Sequence, residues 1–227
     1  MTTNRARTTG RRVEACLAAL AIGLLCWPGI ADGAGTPAWP QAPPPTGRAA
    51  LAQPPPVTVL IVYYSLSGNT EKMARAVAEG VRQIPRATAV LKKAGEVSLD
   101  DLKGADGIAL GSPTYWANMA APMKSFIDDW WLKYRTTLAD KVGGSFAAGG
   151  GDNGGRENVL YSLNLAMMSA GMIIVGPLEE GFGRAGVSAL EPVNENALKQ
   201  CHALGQRVAT VAQAVKAAVP PKSGESR

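Results

Sequence analysis

Residues 65–70 combine hydroxyl, amide and glycine residues in a pattern that suits the binding of one phosphate group. The run is Ser65, Leu66, Ser67, Gly68, Asn69 and Thr70, and it lies directly between a predicted strand and a predicted helix. Backbone N–H groups and the helix dipole converge on an anion at such a helix N-terminus. Because the run has no Lys or Arg and no triphosphate-binding pattern, we predict a monophosphate held by neutral donors. The residues alone leave open a second interpretation, a polar cap of the helix.

Two further runs have the composition of ligand-binding loops. Residues 112–119 include two adjacent aromatic residues, which offer their faces to a flat heteroaromatic ring or, alternatively, pack in part on the sheet edge. Residues 148–155 are rich in glycine, which lets a ligand approach the backbone closely or leaves a loop flexible. The candidate ligand-binding residues of these two runs are Pro113, Thr114, Tyr115, Trp116, Asn118, Ala148, Gly149, Gly150, Gly151, Asp152 and Asn153.

The elements around these runs alternate between strand and helix. Apolar and β-branched stretches predict strands at residues 57–64, 87–91, 107–110, 142–148 and 172–175. Amphipathic stretches predict helices at residues 71–81 and 194–217, and helices also fit residues 119–129 and 156–170. This alternation predicts an α/β fold, a doubly wound three-layer sandwich around a five-stranded parallel sheet of order 2-1-3-4-5. The three runs follow strands one, three and four, where such a sheet binds its ligand.

The charge of the chain argues against one class of function. The formal net charge is +5, but residues 57–217 carry 16 Lys and Arg against 15 Asp and Glu. The surplus therefore lies near the two ends, and the predicted domain lacks the basic surface that nucleic acid requires. The single histidine, His202, adjoins Cys201 on the last predicted helix. We interpret both residues as structural, and we predict no metal site.

The two ends of the chain are predicted to lie outside the folded domain. Residues 1–34 hold four arginines, an apolar run and small residues, which indicates a secretory signal peptide or, if uncleaved, a membrane anchor. We therefore expect export to the periplasm, by the general secretory route or, through Arg11 and Arg12, by the twin-arginine route. Residues 35–56 are rich in Pro and Ala and predict a linker, residues 57–217 predict the domain, and residues 218–227 predict a disordered tail.

Residues 57–70 and 111–128 resemble the flavodoxin-like FMN proteins, and within them the NAD(P)H:quinone oxidoreductases of the tryptophan-repressor-binding-protein type. The similarity runs over residues 57–217. It implies a flavodoxin-like fold with FMN as the cofactor, whose phosphate is held by residues 65–70. It also implies that Thr114, Tyr115 and Trp116 line the isoalloxazine ring and that residues 148–153 close over its pyrimidine side. The flavin carries the redox chemistry in such proteins, so no side chain is predicted to be catalytic.

The resemblance further implies an enzyme that reduces quinones by two electrons with NAD(P)H as the donor, assembled as a dimer or tetramer. The alternative is an electron carrier between redox protein partners without a small-molecule substrate; the near-neutral domain favours the enzyme. Two positions depart from the family pattern. Ser67 replaces a frequent aromatic residue, and Ser169 stands where a histidine lies near the flavin. Both concern the nicotinamide and quinone contacts, so the identity of the electron donor stays open.

Overall fold

The computed structural model describes residues 53–179 and 182–219. The predicted signal or anchor at residues 1–34, the linker up to residue 52 and the tail from residue 220 lie outside these described ranges. Residues 53–56 are fastened to the domain, because Lys216 Nζ donates to the Pro56 carbonyl at 2.7 Å and Arg86 donates to the Gln53 side chain at 3.0 Å. None of the helices in the described ranges is long and apolar enough to cross a bilayer.

A parallel sheet forms the centre of the domain. The strands are β1 (Val57–Tyr63), β2 (Ala87–Lys93), β3 (Gly107–Tyr115), β4 (Asn118–Met119), β5 (Val142–Gly149), β6 (Ile173–Ile174), β7 (Leu178–Glu179), β8 (Phe182–Gly183) and β9 (Val187–Leu190). The main sheet has the order β2-β1-β3-β5-β6, which confirms the predicted order because β5 and β6 are the fourth and fifth predicted strands. Strands β1 and β5 are almost entirely buried, as their continuous apolar sequences require.

The fifth strand is divided into two pieces, which the sequence did not predict. Strand β6 pairs with Val142 and Gly143 at the start of β5, and β9 pairs with residues 146–149 at its end. Between them, residues 176–179 and 182–186 lie outside the main sheet and include the short antiparallel pair of β7 and β8. The predicted strand 172–175 is therefore half of the edge of the sheet, and β9 supplies the other half.

Helices cover both faces of the sheet. They are α1 (Asn69–Arg82), α2 (Leu99–Gly104), α3 (Ala121–Leu132), α4 (Arg156–Ser169) and α5 (Glu195–Ala218). Helices α1 and α5 pack with β1 and β5 in one apolar core, and α2, α3 and α4 pack in a second core on the other face. The predicted three-layer sandwich is thereby confirmed. Helix α2 was not predicted, because its six residues are too few to display a helical period.

Helices α1 and α5 approach each other through two glycines. A Cβ atom built on Gly80 would overlap the His202 carbonyl oxygen, and one built on Gly205 would overlap the Val77 carbonyl oxygen. Cys201 is fully buried beside this crossing, where burial raises the pKa of its thiol. The thiol therefore stays protonated and serves as a small apolar group in the core, in line with its structural interpretation.

Candidate functional site

Residues 65–70, here called loop 1, form a tight turn from β1 into α1. Gly68 is the residue before the helix and has a φ of 83°, a left-handed conformation that glycine adopts without strain. The Gly68 N–H donates to the Ser65 hydroxyl at 3.1 Å, and the Lys72 N–H donates to the Gly68 carbonyl at 3.0 Å. No side chain caps α1 through Gly68, so its first N–H groups remain directed at the space above the end of β1. This geometry favours the anion cradle over a simple polar cap.

Thr70 carries a clear sign of a missing partner. Its side chain lies on the first turn of α1 and only 1% of the residue surface is exposed. The Thr70 Oγ1 atom nevertheless makes no hydrogen bond. A buried hydroxyl without a partner costs about 1–3 kcal/mol, so such atoms in a native fold call for an explanation. A phosphate oxygen bound in loop 1 would supply the acceptor.

Residues 112–119, called loop 2, are for the most part not a loop. Strand β3 extends to Tyr115 and pairs with β4 in a hairpin, with Thr114 opposite Met119 and Tyr115 opposite Asn118. The prediction that β3 ends at residue 110 and that a helix starts at residue 119 is therefore wrong, since α3 begins at Ala121. The hairpin pairing is local and could not be read from a strand pattern interrupted by Ser112 and Pro113.

Trp116 and Ala117 form the two-residue tip of this hairpin. Both have positive φ angles, 50° and 60°, as a tight hairpin turn requires. Neither residue is a glycine or asparagine, so the turn is held at an energetic cost of about 1–3 kcal/mol per residue. The indole of Trp116 is fully exposed, and Leu66 and Tyr115 are exposed as well. Large apolar side chains are thus presented at the carboxyl edge of the sheet with nothing covering them.

Thr114 joins loop 2 to residues 148–155, called loop 3. Its Oγ1 atom is buried and lacks a hydrogen-bond partner, like that of Thr70. A Cβ atom built on Gly149 would lie 3.1 Å from the Thr114 Cβ, so the two chains are already in close contact. Ala148 and Gly149 are buried residues of β5, which extends the strand predicted at residues 142–148 by one residue and places Gly149 outside the predicted loop. The exposed part of loop 3 starts at Gly150 and includes Gly151, Asp152 and Asn153.

Arg156 organises loop 3, a role that was not predicted from the sequence. Its guanidinium donates to the carbonyls of Gly149 and Asp152 at 3.4 Å each and also to the Gly151 carbonyl. Its Nε donates to Ser188 Oγ at 3.2 Å, which ties the loop to β9. An arginine directly after a glycine-rich run is the signal that could have indicated this role, because a fork of N–H groups matches a set of loop carbonyls.

Residues 191–193, which follow β9, connect loop 1 to loop 3. The Glu191 N–H donates to the Gly149 carbonyl at 3.1 Å, and its carboxylate lies 3.5 Å from the Ser67 hydroxyl. The Val193 N–H lies 3.4 Å from the Asn69 amide oxygen. Burial and, to a lesser extent, the neighbouring Tyr64 and Glu191 raise the pKa of Tyr115, so the phenol stays protonated well above neutral pH. No sequence motif marks Glu191, since its place depends on β9.

Three loops from three separate strands therefore meet at one edge of the sheet. Of the four buried side-chain polar atoms without a partner in the described residues, two belong to loops 1 and 2. Uncovered aromatic surface and a glycine-rich backbone stand beside these two hydroxyls. Neutral donors for a phosphate, apolar faces for a flat ring and open backbone are what FMN requires, so the residues present fit this cofactor.

Other residues named in the sequence analysis lie away from this edge. Ser169 is the last residue of α4. Four residues later the Ile173 N–H donates to the carbonyl of Lys141, which directly precedes β5. Ser169 therefore lies near the amino ends of the strands, opposite the three loops at their carboxyl ends. His202 borders a separate groove of about 650 Å³ between α1 and α5, which no residue of the three loops lines. Among the described residues, no cluster of His, Cys, Asp and Glu could hold a metal ion.

The fold is a doubly wound parallel sheet, with a candidate phosphate cradle after its first strand and exposed aromatic residues after its third. This combination is typical of a flavodoxin-type mononucleotide-binding protein. A family model described as NADPH-dependent FMN reductase matches residues 88–185. A protein named NAD(P)H dehydrogenase (quinone) from Geobacter sulfurreducens is 34% identical over 147 residues, which cover 53% of this chain and 71% of that protein. A protein named flavodoxin from Aquifex aeolicus is 34% identical over 157 residues, which cover 66% of this chain and 84% of that protein.

Solved structures agree with these relatives. A WrbA-like flavodoxin from Agrobacterium tumefaciens superposes with a TM-score of 0.60 at 30% identity, covering 70% of this chain and 99% of that one. The chain belongs to the flavodoxin-like FMN protein family, within the tryptophan-repressor-binding-protein type of NAD(P)H:quinone oxidoreductase. It is an oxidoreductase flavoprotein whose cofactor is FMN.

Proposed function

We propose that this protein uses FMN to pass two electrons from NAD(P)H to a quinone. The single observation that carries the proposal is the pairing of two buried, unpartnered hydroxyls with uncovered aromatic surface at the edge of the sheet where doubly wound folds bind ligands. The name and identity of the Geobacter sulfurreducens relative support the quinone and the nicotinamide donor.

We assign the cofactor contacts to residues of the three loops. Ser65, Ser67, Asn69 and Thr70, with the N–H groups at the start of α1, would hold the phosphate. Thr114, Tyr115 and Trp116 would line the ring system, and Gly150, Gly151, Asp152 and Asn153 would close over its pyrimidine side. FMN supplies the hydride and electron transfer when it is bound. The residues of the three loops would bind and orient the ring.

The proposal is tested by mixing the FMN-loaded protein with NADH or NADPH in the absence of oxygen. We expect rapid loss of the visible flavin absorbance and its return when a benzoquinone is added. If the protein binds FMN but stays yellow with both nucleotides, the result would contradict NAD(P)H as the electron donor and would still support the flavin site. A protein that cannot take up FMN would overturn the assignment of the loops.

Replacing Trp116 by asparagine should weaken FMN binding by about 5- to 20-fold, since stacking of one aromatic ring contributes about 1–2 kcal/mol. Asparagine tolerates a positive φ, so the hairpin tip is preserved. The affinity for riboflavin, which lacks the phosphate, should fall by the same factor. The measurement is titration of the apoprotein with each flavin, followed by flavin fluorescence; an unchanged affinity for both would remove Trp116 from the ring contacts.

A second candidate function is electron transfer between protein partners. Ser67 favours it, because a small exposed side chain stands where the family often carries an aromatic residue that contacts nicotinamide or quinone. The flavodoxin from Aquifex aeolicus is similar over a larger share of the chain than the quinone reductase. This candidate would be favoured if neither nucleotide reduces the FMN-loaded protein and a reduced ferredoxin-type protein does.

We also propose that the protein self-associates through α4. Tyr161, Leu165 and Met168 lie one helical turn apart on that helix and are 58%, 62% and 57% exposed. No residue from 158 to 172 carries a charge. An uncharged apolar stripe on a solvent-facing helix is typical of an interface, and its lack of charge suits a second copy of the same surface.

Leu165→Glu should lower the mass of the assembly, from dimer to monomer or from tetramer to dimer, because the substitution places a charge in the centre of the stripe. Light scattering coupled to size-exclusion chromatography measures the mass of the assembly. Ala214→Glu on α5 adds the same charge to an exposed position on the opposite layer and should leave the mass unchanged. Equal masses for wild type and Leu165→Glu would contradict an interface on α4.

Residues 1–56 support a third proposal, export of the folded domain on a linker. The arginine-led apolar segment at residues 1–34 carries this proposal. Fractionation of cells that express the full chain shows whether the protein is periplasmic or cytoplasmic. A variant with lysines in place of Arg11 and Arg12 distinguishes the twin-arginine route from the general secretory route.

A further inference from the structure

Glu191 contacts two of the three loops that form the proposed FMN site and acts on the third through its charge. Its N–H is bonded to Gly149 of loop 3, its carboxylate oxygen lies 3.5 Å from the Ser67 hydroxyl of loop 1, and its charge acts on the Tyr115 phenol of loop 2. The inference drawn from this position rests on the proposed FMN site.

The polar side chains of loop 1 form a directional chain that ends on this carboxylate. The Asn69 amide nitrogen donates to Ser67 Oγ at 3.2 Å, and Ser67 Oγ in turn donates towards Glu191 Oε1. The Val193 N–H donates to the other end of the Asn69 amide, which fixes its orientation. Two of the neutral donors that loop 1 could offer to a phosphate are therefore directed along this chain towards an internal anion.

The charge of Glu191 is not offset nearby. Among the described residues, no ion pair includes Glu191, and loop 1 contains no Lys or Arg. A phosphate placed in loop 1 would thus meet a like charge that already accepts a hydrogen bond from the same hydroxyl. The Thr70 hydroxyl, which Glu191 does not reach, is left without an acceptor.

We propose that the Glu191 carboxylate competes with the FMN phosphate for the donors of loop 1. Binding of FMN transfers the Ser67 hydroxyl from Glu191 to the phosphate, and the remaining repulsion between the two anions limits the affinity. Glu191 is then a residue that weakens cofactor binding, and the protein exchanges its flavin more readily than the same site with a neutral residue at this position.

The test compares FMN and riboflavin binding to the apoprotein for the wild type, Glu191→Gln and Glu195→Gln. Glutamine keeps the size of the side chain and can still accept from Ser67, so it removes the charge alone. Glu191→Gln should bind FMN about tenfold more tightly, the size expected for the repulsion between a phosphate and one carboxylate a few ångströms away that solvent largely screens. Its affinity for riboflavin should be unchanged. Glu195→Gln makes the same change of net charge at an exposed position four residues later and should affect neither flavin.

Three results would overturn the inference. An FMN affinity that is equal or lower in Glu191→Gln would mean that the carboxylate supports the cradle. An equal gain for FMN and riboflavin would place the effect on the ring and not on the phosphate. Failure of every variant, including the wild type, to bind FMN would remove the proposed site and this inference with it, whereas the first two results would leave the site intact.

Discussion

Thr70→Val should weaken FMN binding by about 10- to 100-fold without destabilising the apoprotein. The loss in affinity is that of one hydrogen bond to a charged phosphate, about 1.5–3 kcal/mol. The apoprotein gains because the buried Oγ1 atom has no partner in the absence of a ligand. Valine has the same shape and a similar helix propensity, so we expect the free energy of unfolding to stay equal or to rise by about 1 kcal/mol.

Two measurements check this result, flavin titration of the apoprotein and its denaturation by urea. Thr88→Val on β2 is the matched control, since Thr88 is an exposed residue on an edge strand far from loop 1 along the chain. It should change neither quantity by a significant amount. Riboflavin binding should not respond to Thr70→Val, in contrast to Trp116→Asn. A Thr70→Val protein that is clearly less stable than the wild type would show that the hydroxyl has a partner within the fold.

Gly205→Val should lower the free energy of unfolding by about 3 kcal/mol or more. A Cβ atom at this position overlaps the Val77 carbonyl oxygen, which is part of the backbone of α1 and cannot turn aside as a side chain would. The helices must then separate along the crossing that Gly80 and Gly205 create. The free-energy cost of this overpacking exceeds the few tenths of a kcal/mol that valine gains over glycine in helix propensity.

Gly104→Val provides the comparison for this prediction. Gly104 is the last residue of α2, and no atom lies within 4 Å of a Cβ built on it. Its substitution should stay within about 0.5 kcal/mol of the wild type in chemical denaturation. Similar losses for Gly104→Val and Gly205→Val would mean that chain conformation, and not the close contact with α1, determines the effect.

The sheet could be predicted because its central strands are buried on both faces. Such strands need continuous β-branched and apolar residues. Residues 57–63 form such a run, so the sequence predicts that they are a central strand of a parallel sheet. The loops could be located because the helix-forming segments start a few residues after each strand ends. Their internal structure could not be predicted, since the hairpin of β3 and β4 depends on only two cross-strand pairs, Thr114 with Met119 and Tyr115 with Asn118.

The parts that escaped prediction are those fixed by contacts distant in the chain. Strand β9 contains Val187, Ser188, Ala189 and Leu190, a sequence that becomes a strand because the end of β5 lacks a neighbour on that side. Glu191 and Arg156 gain their roles from the same strand, one by following it and the other by bonding to Ser188. No local pattern records such relations, so these residues emerge only from the packed domain.

The divided fifth strand also bears on how the protein avoids aggregation. An edge strand presents a row of free N–H and C=O groups to which another chain can add, and the risk grows with the length of an uninterrupted edge. Here that edge is divided into two residues of β6 and four of β9, which pair with different parts of β5. At the opposite edge, β2 ends in the exposed Lys93, whose charge opposes the approach of a second sheet, whereas the neighbouring Lys92 is paired with Asp101 at 2.6 Å. The divided border formed by β6 and β9 is therefore a poorer template for strand addition than one continuous strand of the same length would be.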